Sequence, residues 1–252
     1  MKTSMVLGAA ALALMLAGCG GGDNSSTSNL SSATGQVEPL TQIPAPNNGN
    51  WTEIVSQTPD GGWLMGNPDA PVKLVEYASI TCHVCAEFSE QGGAILRDQY
   101  VRSGQVSWEY RPYVIFPTDP GIFMLLRCQG AAPFFRLSEQ LYHDQSNWSG
   151  RLRDMPPEQA AQLEQMSPTQ RAAALVRVTG LDQFFRQRGM PESRINQCLA
   201  DQANLTQLGE ITQRGTQEFG VSGTPTFFIN GDNANASSWA TLEPVLRAAI
   251  GN

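Results

Sequence analysis

Residues 72–88 have the sequence VKLVEYASITCHVCAEF. The first seven of these residues are mainly apolar and β-prone, which predicts a buried strand. Val84 and Phe88 then follow at helical spacing, so a helix is expected to start directly after the strand. Cys82 and Cys85 fall at this junction, separated by two residues. The stretch therefore predicts an α/β protein with a pair of thiols at the start of a helix.

The position of each cysteine predicts its chemical role. Cys82 is expected at the first helical turn, where backbone N–H groups and the helix dipole favour the thiolate over the thiol. It is therefore the predicted nucleophile. Cys85 lies one turn deeper, where it can form a disulfide with Cys82 and is shielded from direct attack. A protonated His83 beside Cys82 would add to the stabilisation of the thiolate.

A CxxC pair can also bind zinc, bind copper or form a purely structural disulfide. A zinc ribbon needs a second cysteine pair or histidines, whereas Cys128 and Cys198 stand singly and the only histidines are His83 and His143. A copper site lacks a Met-rich or His-rich companion segment here, and a structural CxxC bond closes a tight ring. We therefore expect redox catalysis without a metal or cofactor.

A second motif lies far downstream, where residues 219–231 have the sequence FGVSGTPTFFING. Its first glycine predicts the end of a helix, and residues 226–229 predict a strand entered through Thr224 and Pro225. Taken alone, a proline at this place is often an ordinary trans residue of an edge strand.

The two motifs together resemble the thioredoxin superfamily. With a long helical insertion between them, EYASITCHVCAEF and GTPTFFING resemble the disulfide-bond formation protein A (DsbA) family of periplasmic thiol:disulfide oxidoreductases. The resemblance implies an oxidised resting state with an exposed Cys82, Cys85 as resolving partner and a cis Pro225. A cis bond would turn the backbone of Thr224 outward, so that an extended substrate peptide could pair with it.

One site position departs from this family. The histidine that usually precedes the second cysteine is replaced by Val84, and His83 stands one place earlier. Val84 cannot donate a hydrogen bond to the Cys82 sulfur, so we assign it to substrate contact and leave the oxidising strength open. Thr224 before the proline resembles isomerase-like and reductase-like relatives as much as strong oxidases.

Glu76 lies on the predicted strand, where the superfamily often has an acidic residue beneath the active site. Burial would raise its pKa and allow it to move a proton to or from Cys85. The alternative is a paired or solvated carboxylate at a strand edge.

Cys128 and Cys198 remain after the CxxC pair is assigned. With that pair committed, one pairing is left, and we expect a structural Cys128–Cys198 disulfide. Two separate buried thiols are the alternative, which an oxidising compartment disfavours.

The amino-terminal residues predict export and membrane attachment. Lys2 and the apolar residues 5–16 have the features of a secretory signal, and the sequence LAGC at 16–19 resembles the lipobox of bacterial lipoproteins. We therefore expect a signal peptide at 1–18 and lipidation of Cys19, in the inner or outer membrane. An ordinary secretory signal with a coincidental cysteine is the alternative.

The rest of the chain divides into a tether and one domain. Residues 19–50 are rich in Gly, Ser, Thr, Asn and Pro, which predicts a lipidated flexible tether. Residues 51–252 are the predicted thioredoxin-fold domain, with a helical insertion at about 119–219 and a strand at 51–56.

Composition excludes several classes of protein. The 252 residues are 41% hydrophobic and 15% charged, with a formal charge of -7, which excludes a disordered polyelectrolyte. The acidity disfavours nucleic-acid binding, and the lack of long apolar runs excludes a polytopic membrane protein.

These inferences predict a monomeric, periplasm-facing lipoprotein that oxidises the thiols of exported proteins. A DsbB-type, quinone-coupled membrane oxidase would then restore the disulfide. Two alternatives stay open: a disulfide reductase or isomerase, and a non-catalytic peptide-binding or metallochaperone module on the same fold.

Overall fold

The structure is a computed structural model that describes residues 40–251. The predicted signal peptide at 1–18, the lipidation site Cys19 and the tether as far as residue 39 lie outside these described residues. None of the described helices has both the length and the apolar character needed to cross a membrane.

The last part of the predicted tether packs on the domain. The Ile43 N–H donates to Ser103 O at 2.7 Å, and the indole N–H of Trp51 donates to Ile43 O at 2.7 Å. The packing of the domain therefore begins upstream of residue 51.

A mixed sheet of six strands forms the centre of the described structure. The strands are β1 (Val55–Gln57), β2 (Trp63–Gly66), β3 (Val72–Ala78), β4 (Val106–Pro112), β5 (Thr226–Ile229) and β6 (Asp232–Asn233). Their order across the sheet is β1-β2-β4-β3-β5-β6, so β3 is central. Strands β3 and β4 are parallel, and the other neighbouring pairs are antiparallel.

The predicted strand at 51–56 is wrong in its first half. Trp51–Glu53 forms a 3-10 helix, because the side chain of Asn50 accepts a hydrogen bond from the Thr52 N–H at 3.0 Å and caps the turn. The strand proper is Val55–Gln57.

The two faces of β3 serve different parts of the protein. Val72, Leu74 and Ala78 belong to the main hydrophobic core, whereas Tyr77 belongs to a second, smaller cluster. This alternation is the period-2 pattern of a strand. Glu76 lies on the same face of β3 as Leu74 and Ala78, so its carboxyl points into the main core.

Helices precede and follow the sheet strands as the sequence predicts. Helix α1 (His83–Phe88) follows β3, and π-helical turns at Ser89–Gly93 and Leu96–Val101 continue toward β4. Helix α10 (Trp239–Ile250) closes the described chain.

The helical insertion lies between β4 and β5. Its helices are α2 (Asp119–Cys128), α3 (Phe134–His143), α4 (Gln145–Arg153), α5 (Pro157–Glu164), α6 (Pro168–Val178), α7 (Leu181–Gln187), α8 (Glu192–Leu199) and α9 (Gln202–Phe219). The predicted α/β class with a helical insertion at about 119–219 is confirmed. A Cys128–Cys198 disulfide joins α2 to α8, with a Cα–Cα distance of 6.1 Å.

Candidate active site

Cys82 lies in the turn between β3 and α1. Its N–H donates to Ser79 O at 3.2 Å, and its extended backbone places it as the N-cap residue of α1. A residue at this position faces the unpaired N–H groups of the first helical turn. The local sequence therefore positions a sulfur where negative charge is favoured.

The environment of Cys82 makes its thiol acidic. A hydrogen bond from the Cys85 thiol contributes most, and bonds from the Thr224 side chain and from the N–H groups of Cys85 and Val84 add to it. Together they outweigh the opposing effect of burial and lower the pKa of Cys82 to about 6. At neutral pH the reduced protein therefore holds Cys82 mainly as a thiolate.

Cys82 is less accessible than the family resemblance implies. It is 7% exposed rather than open to solvent, because it packs against the segment that precedes β5. Its thiol donates to Thr224 O at 3.3 Å. Cys82 and Cys85 are free thiols in this structure.

Cys85 has the opposite chemical character. It is fully buried in the main core, and burial raises its pKa well above the ordinary thiol value. The hydrogen bond to Cys82 and the charges of Cys82 and Glu76 raise it further. The pair thus combines one acidic sulfur at the surface of the core with one protonated sulfur inside it.

The Thr224-Pro225 peptide bond is cis. It directly precedes β5, whose Thr226 pairs with Tyr77 of β3. This pairing brings the proline segment beside the end of β3, where the cysteine turn begins. The hydroxyl of Thr224 is buried without a partner while Cys82 is a thiol, and it can donate to the sulfur once Cys82 ionises.

Glu76 lies beneath this pair on the central strand. It is 1% exposed and accepts a hydrogen bond from Trp108 Nε1 at 2.9 Å. Burial raises the pKa of Glu76 to about 8; the Trp108 bond opposes this shift, and the charge of Cys82 adds to it. The alternative of a solvated carboxylate at a strand edge is therefore excluded.

His83 and Val84 lie on the exposed side of α1. The imidazole of His83 is 3.0 Å from the carboxylate of Glu87, one turn along the helix, and the His83 side chain is 80% exposed. A protonated His83 would have its charge balanced by Glu87, so the structure does not favour the predicted support of the thiolate. Val84 is 42% exposed and therefore accessible to a bound peptide.

Sequence analysis missed a buried carboxylate at this site. Asp119 accepts hydrogen bonds from the N–H groups of Ile115 and Phe116, at 3.0 and 2.9 Å, and is fully buried. These bonds replace strand pairing for the backbone that follows Pro112, where β4 ends. The only local sign of this buried carboxylate in the sequence is an acidic residue, Asp119, before a proline at the start of a helix. The same pattern also fits an ordinary helix terminus.

The structure has one cleft beside the site and another on the opposite face of the sheet. One, of about 510 Å³, borders Thr81 and contains both His83 and His143. Another, of about 450 Å³, lies against the opposite face of the sheet beside Lys73 and Arg111, and none of the predicted redox residues lines it. Among the described residues, no group of three or more His, Cys, Asp or Glu side chains is placed to hold a metal ion.

An asymmetric thiol pair of this kind exchanges disulfides with other thiols, because one sulfur attacks or leaves easily while the other is kept protonated. The fold and the site thus define a thiol:disulfide oxidoreductase. A family model described as Thioredoxin matches residues 58–248, and the chain belongs to this family.

Solved structures have the same architecture. A protein-disulfide isomerase from Novosphingobium aromaticivorans superposes with a TM-score of 0.72 at 29% identity, covering 75% of this chain and 97% of that one. Wolbachia pipientis α-DsbA1 superposes with a TM-score of 0.62 at 18% identity, covering 80% of this chain and 96% of that one. The DsbA-like fold predicted from the sequence is confirmed.

Curated relatives are more distant in sequence. A Rickettsia bellii protein with the provisional name protein-disulfide oxidoreductase is 22% identical over 205 residues, which is 79% of this chain and 68% of that protein. A Rickettsia prowazekii protein of the same provisional name is 23% identical, and the chain spans 58% of its length.

Proposed function

We propose that this protein is a disulfide oxidase for exported proteins. The observation that carries the proposal is the pKa of Cys82, which lies at about 6. A stabilised thiolate stabilises the reduced form of the pair, so the disulfide form becomes a stronger oxidant than a pair with an ordinary thiol would be. Relatives and structural neighbours with disulfide-exchange names support the same chemistry.

The exchange takes place in two balanced steps. A substrate thiolate attacks Cys82 Sγ, forms a mixed disulfide and displaces the Cys85 thiolate. A proton then converts Cys85 to its thiol, and Glu76 is the buried donor. Glu76 is protonated at neutral pH, and in its ionised form it lies close enough to raise the pKa of Cys85. A second substrate thiolate attacks the substrate sulfur and displaces Cys82 as a thiolate. The substrate loses two electrons and the protein pair gains them.

The geometry around the proline favours a peptide as substrate. The cis bond at Pro225 and the adjoining backbone of Thr224 lie beside the Cys82 sulfur. An extended peptide can pair with this backbone as an added strand. We infer that Thr224 and Pro225 orient the peptide and that the exposed side chain of Val84 contacts it.

The proposed cellular setting depends on the sequence features of residues 1–19. The signal and the lipobox support a lipoprotein that faces the periplasm from the inner or outer membrane, and we propose that it acts as a monomer. A DsbB-type, quinone-coupled membrane oxidase would return the pair to the disulfide, and tethering both proteins to the membrane would raise their effective concentration.

Isomerisation is a second candidate, because the Novosphingobium structure with that name is 29% identical to this chain. The two functions differ in redox potential. An oxidase should have a Cys82–Cys85 potential above about -180 mV, an isomerase should have one near about -180 mV, as protein disulfide isomerase does, and a reductase should have one near about -270 mV, as thioredoxin does.

Equilibration of the purified protein with glutathione and oxidation of a two-cysteine peptide test the proposal. We expect a potential above about -180 mV and stoichiometric oxidation of the peptide, both lost in Cys82→Ser. Repair of scrambled disulfides without net oxidation would support the isomerase. Stoichiometric copper or zinc binding without turnover would support the metallochaperone, and peptide binding that is indifferent to both cysteines would support the non-catalytic module.

A further inference from the structure

The turn that carries Cys82 is held by side chains of the helical insertion. Residues 79–82 connect β3 to α1. Tyr142 of α3 and Gln145 of α4 donate hydrogen bonds to carbonyls of this segment, and Asp119 of α2 accepts one from its backbone. All three side chains are buried. The insertion is therefore in direct contact with the backbone of the redox motif.

Gln145 makes the contact closest to the reactive sulfur. Its Nε2 donates to Ile80 O at 2.8 Å and to Cys82 O at 3.0 Å, which uses both hydrogens of the amide. The Cys82 carbonyl also accepts the Ala86 N–H at 3.2 Å, which is the first helical hydrogen bond of α1. Gln145 thus fixes the orientation of the peptide unit that joins the turn to the helix.

Tyr142 and Asp119 hold the start of the same turn. The Tyr142 hydroxyl donates to Ser79 O at 3.1 Å. Oδ1 of Asp119 accepts the Thr81 N–H at 3.2 Å and the Ser79 hydroxyl at 2.9 Å. The insertion therefore contacts the turn from its start at Ser79 to its end at Cys82.

This arrangement has a consequence for the thiolate. The N–H groups of Val84 and Cys85 lower the pKa of Cys82, and they do so only while the sulfur keeps its position over the first helical turn. A hydrogen bond weakens steeply when its angle departs from linear. If the peptide unit at Cys82 becomes free to rotate, these N–H groups therefore stabilise the Cys82 thiolate less.

We propose that Gln145 is a positioning residue of the redox site, through which the helical insertion sets the acidity of Cys82 and the oxidising power of the pair. The proposal rests on the disulfide exchange proposed above. It assigns the insertion a role in the chemistry in addition to its contribution to the core.

The test compares Gln145→Met with the wild-type protein. Methionine has a similar shape and cannot donate to either carbonyl. The variant loses both amide hydrogen bonds to the turn, and we expect the effect on the sulfur not to exceed that of one hydrogen bond, which typically changes an equilibrium about three- to tenfold. The pKa of Cys82 should therefore rise by roughly half a unit to one unit. The equilibrium with glutathione should shift by a similar factor toward the protein disulfide. Ultraviolet absorbance of the thiolate and quantification of the oxidised fraction measure the two quantities.

A matched control separates positioning from loss of stability. Thr179 is 1% exposed, and its hydroxyl donates to Leu175 O and Val176 O within the insertion, away from the cysteine turn. Thr179→Val should lower the free energy of unfolding and leave the pKa of Cys82 unchanged. Tyr142→Phe, which keeps the ring, should raise that pKa less than Gln145→Met does.

The proposal is overturned if Gln145→Met loses stability as Thr179→Val does while the pKa of Cys82 and the glutathione equilibrium stay at wild-type values. Should Gln145→Met not fold, Tyr142→Phe decides by the same two measurements. Failure of the proposed function is a separate result: a wild-type pair that equilibrates with glutathione but oxidises no peptide refutes the oxidase and leaves this comparison intact.

Discussion

Replacement of Glu76 by Gln should change how the stability of the oxidised protein depends on pH. Glu76 has a pKa of about 8 in the folded protein, against an ordinary value of 4.5. Between these two pH values the folded protein keeps the proton and the unfolded chain releases it. The stability of the wild-type protein therefore falls by about 1.4 kcal/mol per pH unit in this window, and the difference sums to about 5 kcal/mol.

The disulfide form is the right state for this measurement, because Cys82 does not titrate in it. Its sulfur then carries no charge to act on Glu76, so about 5 kcal/mol is an upper value, and burial remains the main cause of the raised pKa. Urea unfolding of wild type, Glu76→Gln and the exposed control Glu210→Gln between about pH 5 and about pH 8 gives the three slopes. We expect Glu76→Gln to become progressively more stable than wild type as the pH rises, and Glu210→Gln to follow wild type.

The reduced protein provides an internal check on the same reasoning. The pKa of Cys82 is lowered on folding, so ionisation of this thiol adds stability as the pH rises above about 6. In reduced wild type between about pH 6 and about pH 8, Glu76 lowers the free energy of unfolding as the pH rises and Cys82 raises it. In reduced Glu76→Gln only the rise from Cys82 remains. Parallel curves for wild type and Glu76→Gln in both redox states would refute the assignment of a buried, protonated Glu76.

Two further predictions concern the cysteines. With a peptide disulfide as substrate, the Cys82 thiolate of Cys85→Ser should displace one peptide thiolate and keep the other peptide sulfur in a mixed disulfide, because no Cys85 thiol is left to release it; mass spectrometry should show an adduct that reductant removes, and a variant that accumulates no adduct would contradict the assigned roles. Replacing Cys128 and Cys198 together by Ala should lower the free energy of unfolding by roughly 4 kcal/mol in the chain-entropy model, since the cross-link closes a loop with a sequence separation of 70. Equal urea midpoints for this double variant and wild type would contradict a structural role.

Much of the fold could be predicted because its signals are local. The run of apolar residues at 72–78 and the helical spacing after it define β3 and α1 without reference to the rest of the chain. Thr224-Pro225 before an apolar run likewise marks the start of β5. Each of these patterns depends only on residues that are close to one another in the sequence.

The contacts around the redox turn could not be predicted in this way. Gln145 lies 63 residues from Cys82 and Asp119 lies 38 residues from Thr81, and their hydrogen bonds depend on how the insertion helices pack. Nothing in the local sequence distinguishes Gln145 from the exposed glutamines of the same helices. The burial of Cys82 was missed for the same reason, since it results from the approach of the Thr224 segment.

The predicted role of His83 beside the thiolate competes with a local pairing on α1. Glu87 stands four residues later on α1, which is the spacing at which side chains of a helix meet. Glu87 therefore pairs with the imidazole that the sequence predicted to support the Cys82 thiolate.

Titration of the Cys82 thiol in the reduced protein measures directly whether its surroundings make this sulfur acidic. The thiolate absorbance of wild type, corrected by that of Cys82→Ser, reports this sulfur alone. The account predicts a midpoint near pH 6, set by the hydrogen bonds from Cys85, Thr224 and the first helical turn. A midpoint near the ordinary thiol value of 9.0 would contradict it.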